Sequence, residues 1–550
     1  ETISPDLTYA DPDTMGVSGP LTMDTAGAEM YATIFSLMVS AHERGVLMAG
    51  SDDGKVHLTT DDGGSWTDVT PSDLPKFSQV TMIAESPHTP GTLYLTAARH
   101  KTGDDEPYVL RTDDLGTTWT RIDADLPRHE FCRVVREDPK RQGLLYVGTE
   151  FGIHVSFDDG AHWQSLQANL PTTPVYDMVV KDDDLVVATH GRSFWILDDL
   201  TPLHQMHDDL LTADHHLLRP RDVVRMLPHI TASWGGTPGG KNYHVTSGQN
   251  ATFYVTEHDT GHTTKRCIDA GDDLEPGATI TYFLREDAVG EASLIVTDAD
   301  GTLIDTFPSV IPAEKKDRTG LYITAHAGMN RFQWPLTLPA GTKMTGTEYH
   351  TAAVGPMVVP GRYLVTLRVG DWSMTQPFDV VPDPRVDTQR EHLVEQFELL
   401  VRLRDRLSEI ADGVNDIRTI TGQLNDWIGR LEHDTSAADT VQAARDLIGR
   451  LGTIELELVQ PELTAPGDSL NYREMLFEKL GHLPPVVASA DARPTTQSYE
   501  VFDKLSAQAG TQLDALARLV DGDVAEFNSR LADLGVAVVG VPARAGAPAP

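Results

Sequence analysis

The chain has 550 residues, 44 Lys and Arg against 82 Asp and Glu, and a formal net charge of −38. That length exceeds one ordinary domain, and that charge argues against a nucleic-acid partner, because phosphate binding needs basic patches. Two cysteines, Cys132 and Cys267, suggest neither a disulfide framework nor a Cys metal site, and no apolar run approaches the roughly 18 residues of a membrane span.

Residues 1–203 read as a partial β-propeller. The pattern Ser/Thr-x-Asp-x-Gly-x-x-Trp occurs three times: Thr59, Asp61, Gly63 and Trp66; Thr112, Asp114, Gly116 and Trp119; Ser156, Asp158, Gly160 and Trp163. The tryptophans are 53 and 44 residues apart, a period that points to propeller blades. Ser/Thr and Asp can bond backbone N–H groups in a tight turn. Gly supplies a backbone conformation other residues resist, and Trp packs as an apolar plug between sheets.

Each blade reads as four strands, innermost first, best defined as 130–138, 143–149, 153–158 and 162–167. Earlier equivalents of the second strand are 46–50 and 92–97. The outermost strand ends in a recurring tail, Thr67–Pro75, Thr120–Pro127 and Gln164–Pro171, which residues 1–8 match. Three full blades over 34–171 and a fourth over 175–199, its last strand expected from 217–227, leave the ring open. An open ring exposes apolar faces and strand edges, so an N-terminal part of the propeller, or a second chain completing it, is an expected partner.

Three turns of this kind resemble the Asp-box, or bacterial neuraminidase repeat, of sialidases, xyloglucanases and sortilin-type propellers. The segments Asp184–Leu203, Ala327–Trp334 and Gln497–Asp503 are similar to a family of bacterial sortilin-like proteins labelled "glycosyl hydrolase, BNR repeat". The resemblance implies that the boxes are structural and lie away from the active face. It implies an extracytoplasmic protein that binds a protein or glycan ligand on its channel face. It equally allows a glycoside hydrolase working through a carboxylate pair, or a structural subunit of a larger assembly.

Asp-box turns join strands three and four, so ligands are expected at the opposite end, on the loops joining strands two and three and on those joining blades. Candidate catalytic groups there are Glu150, Asp52, Asp53 and His190, since a glycosidase needs two carboxyls flanking the bond. Candidate ligand-binding groups are Arg99, His100, Arg128 and Arg192, the cations a sugar carboxylate would meet; the Arg-Ile-Pro signature of sialidases is absent from the chain.

Residues 204–245 read as a linker, with His204, His207, His215 and His216 in no structural zinc pattern. Residues 246–383 read as an immunoglobulin- or fibronectin-like β-sandwich, with a hairpin turn at Asp300-Gly301. A structural Ca²⁺ at Asp298 and Asp300 would lack the remaining loop ligands, and no cofactor or metal is expected. Residues 386–537 read as a helical hairpin or bundle. Its seam, Leu400, Leu403, Leu407, Ile410, Val414, Ile417, Thr421, Leu424, Ile428 and Leu431, steps by three and four. The seam serves either an intramolecular core or a homo-oligomer contact. Residues 538–550 read as a disordered Pro/Ala-rich tail.

Overall fold

A computed structural model describes residues 2–11, 32–227, 236–246, 249–268, 271, 276–314, 318, 320–346, 350, 353–465, 467–533, 535 and 537–540. Two compact units divide the chain, Glu1–His207 and Asp208–Pro550.

The first unit is a run of antiparallel meanders. β1 (Ile34–Val39), β2 (Leu47–Ser51), β3 (Val56–Thr59) and β4 (Thr67–Asp68) make one sheet; β5 (Gln79–Glu85), β6 (Leu93–Arg99), β7 (Asp104–Thr112) and β8 (Thr120–Arg121) make the next. β9 (Cys132–Glu137), β10 (Leu145–Thr149), β11 (Ile153–Ser156) and β12 (Gln164–Ser165) form the third. The last holds three strands, β13 (Val175–Lys181), β14 (Asp184–Thr189) and β15 (Phe194–Leu197), followed by α1 (Thr201–Gln205). The first strands of successive sheets lie side by side, β1 by β5, β5 by β9 and β9 by β13, which is how propeller blades pack around an axis. Sheet-to-sheet cores follow: Val134, Tyr146 and Ile153 of the third sheet meet Val175, Met178 and Val187 of the fourth.

The two end sheets keep apolar side chains in water. Phe35, Leu37 and Val39 on β1 are 53%, 61% and 65% exposed, and Phe194 and Ile196 on β15 are 73% and 56% exposed. These are the alternate positions that would face a further sheet.

The three repeated turns are superposable networks. Thr59 Oγ1 donates to Asp61 Oδ1 (2.8 Å) and accepts from Gly63 N–H (3.0 Å), while Asp61 accepts the Ser65 N–H and hydroxyl at 2.8 Å each. Thr112 and Asp114 repeat this with Gly116 and Thr118. In the third turn Ser156 and Asp158 serve Gly160 and His162, whose ring meets Asp158 Oδ2 at 2.7 Å. Asp62, Leu115 and Asp159 have φ of 57°, 56° and 59°, and the glycine after each is also left-handed.

Each box tryptophan then donates its indole N–H across to the preceding outer strand. Trp163 reaches the Ile122 carbonyl (2.6 Å), Trp119 that of Val69 (2.9 Å) and Trp66 that of Ile3 (2.9 Å). Ile3 therefore occupies the place that Val69 and Ile122 occupy in their sheets. A Cβ on Gly160 would come within 2.7 Å of the Ile122 side chain, and one on Gly63 within 2.5 Å of the Ile3 carbonyl, so close sheet approach requires glycine there.

The second unit carries two cores. α2 (Asp208–Thr212) leads to β16 (His215–Leu217) and β17 (Val223–Arg225), then a separate three-stranded sheet of β18 (Lys241–Thr246), β19 (Gln249–Glu257) and β20 (Thr263–Cys267). The strands β21 (Ala278–Leu284), β22 (Ala292–Asp298), β23 (Leu303–Pro308), β24 (Gly328–Trp334), β25 (Gly361–Val369) and β26 (Trp372–Pro382) follow. They pair in the orders β16-β21-β24 and β17-β26-β25-β22-β23, and both sheets share one core around Trp334, Phe332 and Phe378.

The stretch expected as a linker thus supplies β16, β17 and most of β18, the first two joining the sheets around Trp334. β16 pairs antiparallel with β21 and β17 runs parallel to β26. Leu217 belongs to this sheet, so it does not complete the fourth propeller sheet. A three-residue strand flanked by Pro220 carries no periodicity to read; only the free edge of β21 makes it a strand.

Helices α3 (Arg390–Leu431), α4 (Ala438–Leu458), α5 (Leu476–Gly481), α6 (Leu483–Val487), α7 (Thr496–Leu519) and α8 (Ala525–Asp533) form the second core. The α3 seam residues Leu403, Leu407, Ile410, Val414, Ile417 and Leu424 are buried inside this unit. Between α7 and α8 the helix widens to a π-turn at Val520–Val524, around Gly522. The segment 335–346 docks on α3: Thr342 N–H donates to Ser408 (3.0 Å) and Thr345 N–H to Asn415 (2.7 Å). Most of the expected C-terminal tail, residues 541–550, lies outside the described residues.

Candidate functional site

The repeated turns sit at the β3–β4, β7–β8 and β11–β12 connections, so the other end of the first unit carries the β2–β3, β6–β7, β10–β11 and β14–β15 loops and the inter-sheet connections. A row of stacked rings and cations runs across that end. His100 lies flat on Phe131 (4.3 Å, 11°), the Arg133 guanidinium covers Phe131 at 4.9 Å and Tyr176 at 4.0 Å, and Tyr176 stacks on His190 (4.8 Å, 27°). Four loops or strand starts from three sheets contribute to it. Phe131 is buried, whereas Tyr176 at 44% and neighbouring Phe151 at 45% stand exposed.

Glu150 clamps the row from below. Its Oε2 alone accepts both Arg133 Nε (2.9 Å) and Nη2 (2.7 Å), charge-assisted bonds that converge on one oxygen. Burial and the Arg133 charge hold the His100 ring below its ordinary value, keeping it neutral. Arg99 Nε and His100 Nδ1 are buried without a hydrogen-bond partner among the described residues. Beside the row, Glu130 Oε2 accepts from Thr149 Oγ1 and meets the His154 ring, each at 3.0 Å.

The other candidates part company with this row. Asp53 is buried and spent on backbone: its carboxylate accepts the Tyr9 (2.7 Å) and Ala10 (3.3 Å) N–H groups and the Ser51 hydroxyl (2.5 Å). Asp52 accepts the Ala32 and Thr33 N–H groups at 2.9 Å and the Thr33 hydroxyl. Both fasten the segments leading into β1. Each carboxylate thus serves as an acceptor for nearby backbone N–H groups. The physical reason is that loop carboxylates beside unpaired N–H groups act as local caps.

Arg99 pairs with Asp104, which also accepts from Tyr108 Oη at 2.8 Å. Arg128 pairs with Glu106 at 3.0 Å, half-exposed. Arg192 is exposed, and its carbonyl accepts from Trp195 Nε1 (2.9 Å). Of the groups proposed for ligand binding, His100 joins the row, while Arg99 and Arg128 are engaged in ion pairs. Arg133, Phe131 and Tyr176 were missed, because Arg133 in β9 and Tyr176 in β13 read as ordinary strand residues and Phe131 as the apolar residue just before β9.

The histidine group of residues 204–216 is dispersed. His204 meets the fully buried Asp138 at 2.9 Å, where Tyr146 Oη also donates (3.0 Å). Burial opposes the Asp138 charge, but His204 and the Lys140 and Arg141 N–H groups hold its carboxyl below the usual range. His215 packs edge-on against Trp372. Asp298 Oδ1 is engaged by the Asp300 and Thr302 N–H groups as a turn acceptor. Among the described residues no group of three His, Cys, Asp or Glu side chains is placed to hold a metal. No disulfide joins Cys132 and Cys267, and no described helix is long and apolar enough to cross a membrane.

Sheet order, repeated turns and the stacked row define a mainly β, propeller-like protein with a helical C-terminal region. No protein-family model matches the chain. It is 27% identical over 116 residues to a probable oligoxyloglucan-reducing end-specific xyloglucanase of Neosartorya fischeri, covering 20% of this chain and 14% of that protein. The chain therefore spans about one-seventh of the length of the curated relative it matches. Among solved structures, YCF48 bound to D1 peptide matches at 15% identity over 57% of this chain and 95% of that one, TM-score 0.23. YCF48 from Cyanidioschyzon merolae matches at 14% over 33% and 55%, TM-score 0.23, and an ancestral GH74 enzyme at 12% over 64% and 57%, TM-score 0.22. At such TM-scores these likenesses carry no argument, and the propeller-like assignment rests on this chain's own sheets.

Proposed function

We propose that the first unit is an extracytoplasmic, sortilin-like Asp-box propeller module that binds a protein or glycan ligand on the end carrying His100, Phe131, Arg133, Tyr176 and His190. The observation that carries this reading is the pair of hydrogen bonds from Arg133 to Glu150. It ties one oxygen of the Glu150 carboxylate to the guanidinium that covers the Phe131 and Tyr176 rings. Exposed Tyr176 and Phe151 offer ring faces to sugar C–H groups or peptide side chains. The partner completing the propeller would cover Phe35, Leu37 and Val39 at one end and Phe194 and Ile196 at the other, whether it is an N-terminal portion or a second chain.

The test is calorimetric titration of the full chain with xyloglucan oligosaccharides and with a peptide library, against Tyr176→Ala. Saturable binding weakened tenfold or more by Tyr176→Ala supports the module. Hydrolysis of xyloglucan that is abolished by Glu150→Gln would instead make the protein a glycoside hydrolase, the second reading, which the partial identity to a xyloglucanase favours. A structural subunit, or a homo-oligomer through the helices, would show neither ligand binding nor turnover but a stable complex on native gels.

A further inference from the structure

The second unit contains a cavity that the propeller reading does not use. It measures about 690 Å³ and opens between segment 353–357, the end of β17, and helices α3, α5 and α6. Ligand sites commonly span about 300–1,000 Å³ and are mainly apolar with a few placed polar groups.

Its wall is largely hydrocarbon, with Met357, Leu400, Leu407, Phe477 and Pro484 prominent. The charges in the wall are cancelled in place. Arg225 is 4% exposed; it pairs with Asp491 and donates Nε to the Val358 carbonyl (2.9 Å). His350 Nε2 lies 2.7 Å from Glu478 Oε1, both buried, and Glu478 also accepts the Met475 (2.7 Å) and Gln460 (3.1 Å) N–H groups. At the rim Arg404 pairs with Asp405, and His482 with Glu474. An ion entering would lose its hydration and find no opposite charge waiting.

One buried polar group is only half used. Gln396, 1% exposed and part of the wall, donates Nε2 to the Val487 (2.8 Å) and Ala490 (2.7 Å) carbonyls. Both amide hydrogens are thereby committed, which fixes the side-chain orientation. Its Oε1 makes no hydrogen bond among the described residues and is left as the acceptor on the cavity side.

We propose that this cavity binds a small, neutral, mainly apolar molecule that donates one hydrogen bond to Gln396 Oε1. The apolar wall supplies the affinity, the cancelled charges exclude ions, and the amide oxygen selects for an N–H or O–H group.

The probe is N-phenyl-1-naphthylamine, a neutral aromatic with one N–H, whose fluorescence rises in apolar surroundings. It is titrated into the full chain, with 8-anilinonaphthalene-1-sulfonate as the anionic counterpart. Expected are saturable one-to-one binding of the neutral dye, weaker binding of the anion, and loss of about tenfold in affinity in Gln396→Met, the worth of one neutral hydrogen bond. If Gln396→Met fails to fold, Ala353→Phe serves: Ala353 is a partly exposed wall position, and the ring would fill the space and abolish binding with the melting profile retained. Non-saturable uptake, equal affinity for the anion, or binding untouched by Ala353→Phe overturns the proposal. None of these outcomes bears on the propeller unit, whose ligand is tested separately through Tyr176.

Discussion

Replacing Trp163 by Ala is the sharpest test of the blade packing. Trp163 is 7% exposed and packs with Tyr94, Val109, Leu126, Val135 and Leu145, bridging the second and third sheets. Truncating a buried aromatic costs about 3–5 kcal/mol. The Ile122 carbonyl loses its 2.6 Å indole donor as well, and an acceptor left unpaired in the interior adds about 1–3 kcal/mol. Partial relaxation overlaps the two effects, so we expect about 4–6 kcal/mol for Trp163→Ala. Trp163→Phe keeps most of the packing and loses the donor, at about 1–3 kcal/mol. Trp66, partly exposed on the first sheet, should cost only about 1–2 kcal/mol on truncation, because less of its ring leaves water. The two units can unfold separately, so a single melting temperature is not sufficient. The assay is native-state hydrogen exchange read by mass spectrometry on peptides spanning β9–β12. Equal losses for Trp163→Ala and Trp66→Ala, or no change in β9–β12 opening, would refute the plug reading.

Three further outcomes follow from the same geometry. Arg225→Ala should destabilise the second unit by about 3–5 kcal/mol, since it strands Asp491 in a site where the two side chains are only 4% and 6% exposed; Arg225→Met with Asp491→Leu should recover most of the loss, and urea unfolding of both variants checks this. Burial pushes the Asp305 carboxyl up to about 6, above an unfolded value of about 3.9. The folded state therefore holds its proton longer, and stability falls as pH rises from about 4 through 6. Asp305→Asn should stabilise by up to about 2 kcal/mol at pH 7.5 and not at pH 4; a gain equal at both pH values would contradict the assignment. His162 is held above its ordinary value by its hydrogen bond to Asp158. That contact stabilises the third turn below about pH 6.5 and is lost as pH rises through the raised value. In Asp158→Asn the His162 NMR titration should move down toward about 6.5, and an unmoved midpoint would break the link.

The repeated turns were legible because their chemistry is local. A hydroxyl, a carboxylate and a left-handed glycine within five residues write the same hydrogen bonds wherever they occur, and the networks at Thr59, Thr112 and Ser156 repeat, with the His162 ring standing in the third for the Ser65 and Thr118 hydroxyls. The long helix α3 was legible for the same kind of reason: a seam of threes and fours needs no partner to be recognised. The placement of β16 and β17 was not: residues 217–227 read as the last strand of the fourth propeller sheet, and only the edges of β21 and β26 decided which sheets these short strands join.

The sequence by itself therefore determined the sheet meanders, the turns that cap them and the helical seam, all set by interactions within a few residues. Only the tertiary structure decided which polar groups are free. Asp52 and Asp53 read as candidate partners for Glu150, and the fold brings them the backbone N–H groups of residues 9, 10, 32 and 33. Arg133 looked like an ordinary strand residue, yet the apposition of β9 and β13 sets it between two rings and onto Glu150. A carboxylate's role depends on what the fold brings within about 3 Å of it, and residues far apart along the chain supply most of that.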